Sequence, residues 1–200
     1  MLEQLLRKTV EKSPSKTAIV YNQCRISYQD LYNQVRGLSQ GLSAIGIQPG
    51  DCMAVILPNS PEFVIAFYGI LKLKAIALLL NPLFKQEELR YYLRDSNVKA
   101  IITDSKRAEM CQNIIASLDP SIELICIDKT DSSGSLTRDF NDLILSETVE
   151  DDNSISPVSG DAIYQYSSGS TGRPKRVFRT QYNLYHINKR LKRVVFSPAI

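Results

Sequence analysis

The stretch Tyr164-Gln165-Tyr166-Ser167-Ser168-Gly169-Ser170-Thr171-Gly172-Arg173-Pro174-Lys175-Arg176-Val177 joins a polar, glycine-containing tract to strand-forming flanks. Residues 162–166 are rich in aromatic and β-branched side chains, which favour a strand. Residues 176–180 have a similar character and predict a second strand. The tract between them is therefore predicted to be the tip of a hairpin.

The composition of this tip is suited to an anion. Gly169 and Gly172 permit backbone conformations in which consecutive N–H groups point at one spot. Lys175 adds a compact positive charge, and hydroxyl groups come from Ser167, Ser168, Ser170 and Thr171. A flexible linker would have a similar composition, but a linker gains nothing from two flanking strands. We therefore predict a polyphosphate-binding loop.

The spacing of the loop excludes two well-known nucleotide motifs. It lacks the four residues that separate the glycines of a Walker A loop, and it contains no G-x-G-x-x-G fingerprint. The loop is therefore predicted to belong to another class of phosphate-binding sequence.

Residues 166–175 resemble the phosphate-binding signature of the adenylate-forming (AMP-binding) ligases, which include acyl-CoA synthetases. The pattern agrees from the aromatic residue to the lysine and departs at Arg176, where the family usually has glycine. Two further departures are Lys74, where a glycine is common, and Gln181, where histidine is frequent. The resemblance extends over roughly residues 1–190 and includes 27–31, 57–63 and Asn81-Pro82.

This resemblance implies the substrates and the roles of the loop. A carboxylic or fatty acid would attack ATP to give acyl-AMP and pyrophosphate, and coenzyme A would usually accept the acyl group. No nucleophilic residue is required, because the attacking carboxylate is already ionised. The implied ATP-binding residues, with Lys175 as an electrostatic clamp, are Ser167, Ser168, Gly169, Ser170, Thr171, Gly172, Pro174 and Lys175.

The same resemblance implies that other parts of the site follow residue 200. The Mg²⁺ ligand, the adenine- and ribose-binding segments, the hinge and the catalytic lysine are all expected there. The chain is thus predicted to be the incomplete N-terminal part of a ligase large domain, inactive alone, with the downstream part as its partner. A non-catalytic remnant or a phosphate-binding module is the alternative.

Composition excludes several other classes. Hydrophobic residues make up 44% and charged residues 22%, which is typical of a globular chain. The four cysteines contain no C-x-x-C pair, and the chain has only one histidine, His186. We therefore predict neither a metal site nor a disulfide framework, and we predict that the protein is cytoplasmic. Lys72 and Lys74 interrupt the apolar run 63–80 and would each cost about 2.5–3.5 kcal/mol in a bilayer. We therefore predict no membrane span.

The charge distribution leaves a second interpretation open. Residues 162–200 contain lysine and arginine but no acidic residue, and a basic segment is typical of nucleic-acid binders. A nucleotide triphosphate accounts for the charges near the loop, so nucleic acid is not the predicted partner. His186 is predicted to lie on a helix near Tyr182 and Tyr185, with a partly exposed structural role. The remaining basic residues are predicted to form a solvated helix face: Lys189, Arg190, Lys192 and Arg193.

Strand and helix patterns alternate upstream of the hairpin. Residues 17–21 and 24–28 predict a first hairpin. Further strands are predicted at 52–57, 75–80, 99–103 and 122–127, and helices at 2–10, 31–45, 61–71, 87–96 and 105–118. This order predicts an α/β fold with a largely parallel sheet flanked by helices. We divide the chain into an α/β subdomain (1–127), an acidic surface connection (128–160, with only 140–145 regular) and the phosphate-binding hairpin plus basic helix (161–200).

Overall fold

The computed structural model describes residues 2–129, 137–145, 160–167, 174–184 and 186. Strands and helices alternate along this part of the chain. The strands are β1 (Thr17–Tyr21), β2 (Cys24–Ser27), β3 (Cys52–Ile56), β4 (Ile76–Leu79), β5 (Val98–Thr103), β6 (Glu123–Cys126), β7 (Thr137–Asp139), β8 (Asp161–Ser167) and β9 (Lys175–Thr180). The helices are α1 (Leu2–Lys12), α2 (Tyr28–Ala44), α3 (Pro61–Lys72), α4 (Gln86–Asp95), α5 (Ser105–Leu118) and α6 (Phe140–Leu145).

Seven of these strands form one sheet in the order β7-β6-β5-β3-β4-β8-β9. Every neighbouring pair is parallel except β8 and β9, which are antiparallel. Strands β1 and β2 form a separate antiparallel hairpin. Parallel strands need long crossovers, and the intervening helices cover the two faces of the sheet. The predicted α/β class, with a largely parallel sheet flanked by helices, is confirmed.

Local sequence signals set the ends of the helices. The Ser27 hydroxyl accepts a hydrogen bond from the Asp30 amide at 3.1 Å at the start of α2. Ser60 caps α3 in the same way, accepting from the Phe63 amide at 3.2 Å. Beyond the end of α2, Gly46 has a φ of 95°, the left-handed conformation typical of a helix terminus. The sequence predicts these ends from the capping-box pattern Ser27-Tyr28-Gln29-Asp30, the Ser60-Pro61 pair and Gly46, and the structure confirms them.

Lys74, between α3 and β4, occupies a conformation that suits glycine. Its φ is 63°, and the left-handed region costs an L-residue roughly 1–2 kcal/mol. The turn is held by a hydrogen bond from the Gly50 amide to the Lys74 carbonyl at 2.9 Å. The structure thus gives a physical reason why a glycine would be preferred where this chain has lysine.

The two faces of the sheet pack against different helices. Along β3, Met53 and Val55 contact the cluster formed with α1, α2, α3 and α6, whereas Ala54 and Ile56 contact the cluster formed with α4 and α5. Successive side chains of a strand point to opposite faces, so a strand buried on both sides reads as a continuous apolar run. All five residues of β3 are buried.

The structure corrects the prediction for residues 128–160. Besides α6, this segment contains β7, which pairs parallel with β6 and extends the sheet. Phe140, the first residue of α6, is fully buried. The prediction missed β7 because three residues, Thr-Arg-Asp, carry no hydrophobic periodicity. Strands of one sheet therefore come from all three segments into which the sequence was divided.

Helix α6 lies against α2 at two glycines. A Cβ atom added to Gly37 would overlap the carbonyl of Ile144, and one added to Gly41 would overlap the carbonyl of Leu143. Backbone therefore touches backbone at this crossing. Any larger residue would push α6, and with it β7, away from the core.

Among the residues that the structure describes, none of the helices combines the length and apolar character needed to cross a membrane. The apolar run 63–80 instead forms most of α3 and all of β4.

Candidate phosphate-binding site

The predicted hairpin is present and is formed by β8 and β9. Ser167 is paired with Lys175 across β8 and β9, and the Ser167 hydroxyl donates to the Lys175 carbonyl at 3.4 Å. Both side chains are exposed. Because β8 runs parallel to β4, the loop leaves the sheet at the carboxyl ends of the parallel strands, where open α/β sheets bind ligands.

Three of the eight predicted phosphate-binding residues belong to the described structure. Ser167 and Lys175 lie at the base of the loop, and Pro174 immediately precedes β9. The other five lie outside the described residues, so their placement stays a prediction: Ser168, Gly169, Ser170, Thr171 and Gly172.

A cavity of about 400 Å³ opens beside the base of the hairpin. Its apolar lining comes from the end of β4, the following turn and β9: Leu79, Leu80, Phe84 and Val177. Its polar lining comes mainly from the hairpin: Asn81, Gln165, Tyr166, Ser167 and Arg179. A cavity of this size with a few convergent polar groups has the character of a small-molecule site. Asn81 belongs to the Asn-Pro dipeptide singled out in the sequence.

The opposite face of the hairpin rests on the end of α4. The Tyr166 ring packs against the Tyr92 ring with centroids 4.4 Å apart. Its hydroxyl donates to the Asp95 carboxylate and lies 2.8 Å from the Ser96 hydroxyl oxygen. Burial and the hydrogen bond to Asp95 raise the pKa of Tyr166 well above its usual range. Tyr166 therefore remains a neutral hydrogen-bond donor and anchors the first strand of the hairpin.

Two of the residues that depart from the family pattern have defined contacts. Arg176 donates from its Nη1 to the Asp95 carbonyl at 2.8 Å. Gln181 is buried, and its Nε2 donates to the Leu71 carbonyl at 3.2 Å. Sequence reasoning missed both partners, because neither Asp95 nor Leu71 is near its partner along the chain and no motif links them.

His186 is exposed, and its ring lies against Tyr182 with centroids 4.2 Å apart. The predicted proximity of these two side chains is confirmed. The predicted face of Lys189, Arg190, Lys192 and Arg193 lies outside the described residues.

Other polar groups at the carboxyl edge are bound to the protein itself. The Asp128 carboxylate accepts from the Ser105 amide at 2.6 Å and from the Ser105 hydroxyl at 2.8 Å. Burial would raise the pKa of Asp128, but these hydrogen bonds outweigh it and the net shift is downward. Arg107 is similarly engaged, donating to the Pro82 carbonyl at 2.7 Å and to Asp104. Asp128 and Arg107 thus connect the sheet edge to α5.

The described residues define an α/β protein with a largely parallel sheet, in which the Ser-Ser-Gly-Ser-Thr-Gly sequence begins at the last residue of β8. The sequence matches the AMP-binding enzyme family over residues 6–196. The chain belongs to this family.

Curated relatives and solved structures agree with this assignment. The long-chain-fatty-acid–CoA ligase of Bacillus subtilis (strain 168) is 29% identical over 92% of this chain and 37% of that protein. The 4-coumarate:CoA ligase 1 of Petunia hybrida is 36% identical over 79% of this chain and 28% of that protein. The anthranilate CoA ligase AuaEII, in complex with anthranoyl-AMP, superposes with a TM-score of 0.82 at 26% identity, over 97% of this chain and 36% of that one. The chain thus spans between 28% and 37% of the length of these proteins.

Proposed function

We propose that this chain is the ATP-binding part of an acyl-adenylate-forming ligase. In the proposed reaction a carboxylate attacks the α-phosphorus of ATP, pyrophosphate leaves, and coenzyme A then displaces AMP from the acyl-AMP. The observation that supports this most directly is the position of the hairpin. Its phosphate-binding sequence begins at the carboxyl edge of the sheet, beside a cavity, in a chain that belongs to the AMP-binding family.

In this proposal the residues of the hairpin tip bind the triphosphate and perform no covalent chemistry. Backbone N–H groups of residues 168–172 and the hydroxyls of Ser170 and Thr171 donate to the β- and γ-phosphates, and Lys175 stabilises the charge of the leaving pyrophosphate. Binding in a fixed orientation supplies the remaining contribution, because the nucleophile is already ionised.

The proposed reaction would use Mg²⁺ with ATP. Within the described residues there is no group of three or more His, Cys, Asp or Glu side chains that could hold a metal ion. We therefore assign no metal ligand in this part of the chain and derive no step through the metal. All four cysteines are free thiols, the state that a reducing compartment maintains, and this supports a cytoplasmic location.

We further propose that the chain alone binds ATP but does not complete the reaction. The test is calorimetric titration with ATP, followed by an assay of pyrophosphate release with a panel of carboxylic acids. Lys175→Ala should weaken ATP binding about tenfold, since a hydrogen bond to a charged group contributes roughly 1.5–3 kcal/mol. The matched control is Lys99→Ala, an exposed lysine at the amino end of β5, which should leave affinity unchanged.

Three results would argue against the proposal in different ways. If the chain does not bind ATP, it is a non-catalytic remnant that does not bind nucleotide. Equal affinity for ATP and inorganic tripolyphosphate in a chain extended downstream, where the adenine- and ribose-binding segments are expected, would indicate a general phosphate-binding module. Salt-sensitive DNA binding that ATP does not displace would indicate a nucleic-acid binder.

A further inference from the structure

The β8–β9 hairpin has two chemically different faces. On one face, Gln165, Ser167, Val177 and Arg179 line the cavity, whose lining also includes Tyr166. The other face carries two cross-strand pairs, Tyr166 with Arg176 and Tyr164 with Phe178. Side chains alternate along each strand, so Arg176 points away from the face that Val177 and Arg179 share.

Both members of the Tyr166–Arg176 pair contact Asp95, at the end of α4. Tyr166 donates its hydroxyl hydrogen to the Asp95 carboxylate, and Arg176 donates to the Asp95 backbone carbonyl at 2.8 Å. The Arg176 guanidinium also lies 3.8 Å from the Asp95 carboxylate. One strand therefore binds the side chain of Asp95, and the neighbouring strand binds its backbone.

The guanidinium of Arg176 also lies over two aromatic rings. Its central carbon lies 4.9 Å from the centroid of the Tyr164 ring and 5.6 Å from that of Phe178. A cation is favoured both over an aromatic face and at a helix C-terminus, where carbonyl groups lack helical partners. Asp95 is the last residue of α4. The Asp95 carboxylate, the Asp95 carbonyl and the two aromatic rings together stabilise the positive charge of Arg176.

We infer that Arg176 is a positioning residue, which fastens the β8–β9 hairpin to the C-terminal end of α4 and does not itself bind phosphate. This inference rests on the proposed function, because it assigns the phosphate contact to Lys175 and the support of the hairpin to Arg176. A glycine at this position could provide neither the hydrogen bond nor the ring contacts. The chain thus has a support for its phosphate-binding hairpin that the common glycine lacks.

The competing role for Arg176 is that of a direct phosphate ligand, and Asp95 distinguishes the two. If Arg176 bound phosphate, Asp95 would compete for it, and Asp95→Ala would strengthen binding of a polyphosphate. If Arg176 supports the hairpin, Asp95→Ala removes the acceptor of Tyr166 and the charge beside Arg176, so the hairpin loosens and binding does not improve.

The first measurement is hydrogen–deuterium exchange on the 200-residue chain. We expect Arg176→Gly to accelerate exchange of the β8 and β9 amides about tenfold relative to the β3 amides, the effect of losing one charge-assisted hydrogen bond. Asp95→Ala should act in the same direction. Arg176→Lys keeps the charge but loses the planar fork, so it should restore part of the protection.

The matched control is Arg179→Gly, which makes the same change on the same strand but on the exposed, opposite face of the hairpin. It should accelerate exchange of the hairpin by no more than about fivefold, the backbone cost that any glycine has within a strand, and by less than Arg176→Gly does. Equal acceleration by Arg179→Gly and Arg176→Gly would overturn the inference, because any glycine in β9 would then have the same effect. If Arg176→Gly fails to fold and β3 also exchanges rapidly, the comparison of Arg176→Lys with wild type decides.

The second measurement is calorimetric titration of the same variants with inorganic tripolyphosphate. An affinity of Asp95→Ala equal to or below that of wild type supports the positioning role, and a higher affinity overturns it. Should the wild-type chain bind neither tripolyphosphate nor ATP, the proposed function fails. The exchange measurement would still decide whether Arg176 holds the hairpin.

Discussion

The two edges of the seven-stranded sheet are held in different ways. At one edge, β7 is followed by α6, which buries Phe140 completely and brings its backbone against Gly37 and Gly41 of α2. At the other edge, β9 exposes most of its residues, including 53% of the surface of Phe178. The β7 edge depends on close packing, whereas the β9 edge depends on a few directional contacts.

We therefore expect the β7 edge to contribute mainly to stability and the β9 edge to contribute mainly to ligand binding. An edge that is fixed by packing tolerates little change in shape, because protein interiors are as dense as organic crystals. An edge that is fixed by hydrogen bonds and ring contacts leaves its other face open to a ligand. The proposed phosphate-binding loop is attached to the second kind of edge, and the predictions below test the contrast.

The largest effect is expected from the two phenylalanines. Phe140→Ala should lower the free energy of unfolding by about 3–5 kcal/mol, the range for removing a buried aromatic ring. Phe178→Ala should lower it by less than about 1 kcal/mol, because half of that side chain is already in water. Urea denaturation of both variants provides the comparison. Equal losses would mean that the β9 edge is also held by packing.

A smaller effect is expected at the crossing of α2 and α6. Gly41→Ala places a methyl group against the Leu143 backbone and should destabilise the chain by about 1–2 kcal/mol, within the range for overpacking. The control is Gly69→Ala in α3, where the nearest atoms to the added methyl belong to the side chain of Leu38, at 2.9 Å and beyond, and not to backbone. Thermal unfolding should show Gly69→Ala to be the milder change. The reverse order would contradict the backbone contact.

At the β9 edge, Gln181 provides the test of a directional contact. Gln181→Ala leaves the buried Leu71 carbonyl without this hydrogen bond and should cost about 1 kcal/mol. Asn183→Ala, an exposed change two residues away, is the control and should be neutral within about 0.5 kcal/mol. Denaturation curves that coincide for the two variants would show that this contact contributes nothing.

Much of the fold could be predicted because its signals are local. Strand–helix alternation, the Ser27 and Ser60 caps and the turn at Gly46 all depend on neighbouring residues, and they agree with the structure. β7 could not be predicted, since its place in the sheet is determined by β6 and by the burial of Phe140. Similarly, the sequence predicted the β8–β9 hairpin but not its support, because the contacts of Arg176 and Tyr166 with Asp95 join distant parts of the chain.

The smallest expected effect concerns how well the β7 edge shields the neighbouring strand β6 from solvent. It is tested by the reactivity of a buried thiol. Cys126 lies in β6, next to β7, and burial raises the pKa of its thiol from 9.0 to about 11. At pH 8 it should react slowly with Ellman's reagent, because the thiolate is the nucleophile. Exposed Cys24 should react quickly, and Cys24→Ser should abolish the fast phase. Rapid reaction of Cys126 in the folded chain would show that this edge opens.

The direction of the pH dependence follows from the same shift. The unfolded thiol ionises near pH 9, whereas the folded thiol retains its proton to about pH 11. The folded state therefore binds more protons between these values, and its stability falls as pH rises through this window. Below pH 9 the contribution of Cys126 is fully present.

The pairing of β4 with β8 has a consequence for biosynthesis. Ala77 of β4 pairs with Ile163 of β8, so one edge of β4 stays unpaired until the ribosome has translated the residues between the two strands. β3 and β5 can pair earlier, since β5 follows β4 closely. We therefore expect nascent chains that end before β8 to expose the unpaired edge of β4. Unpaired strand edges are surfaces that chaperones recognise and that promote aggregation.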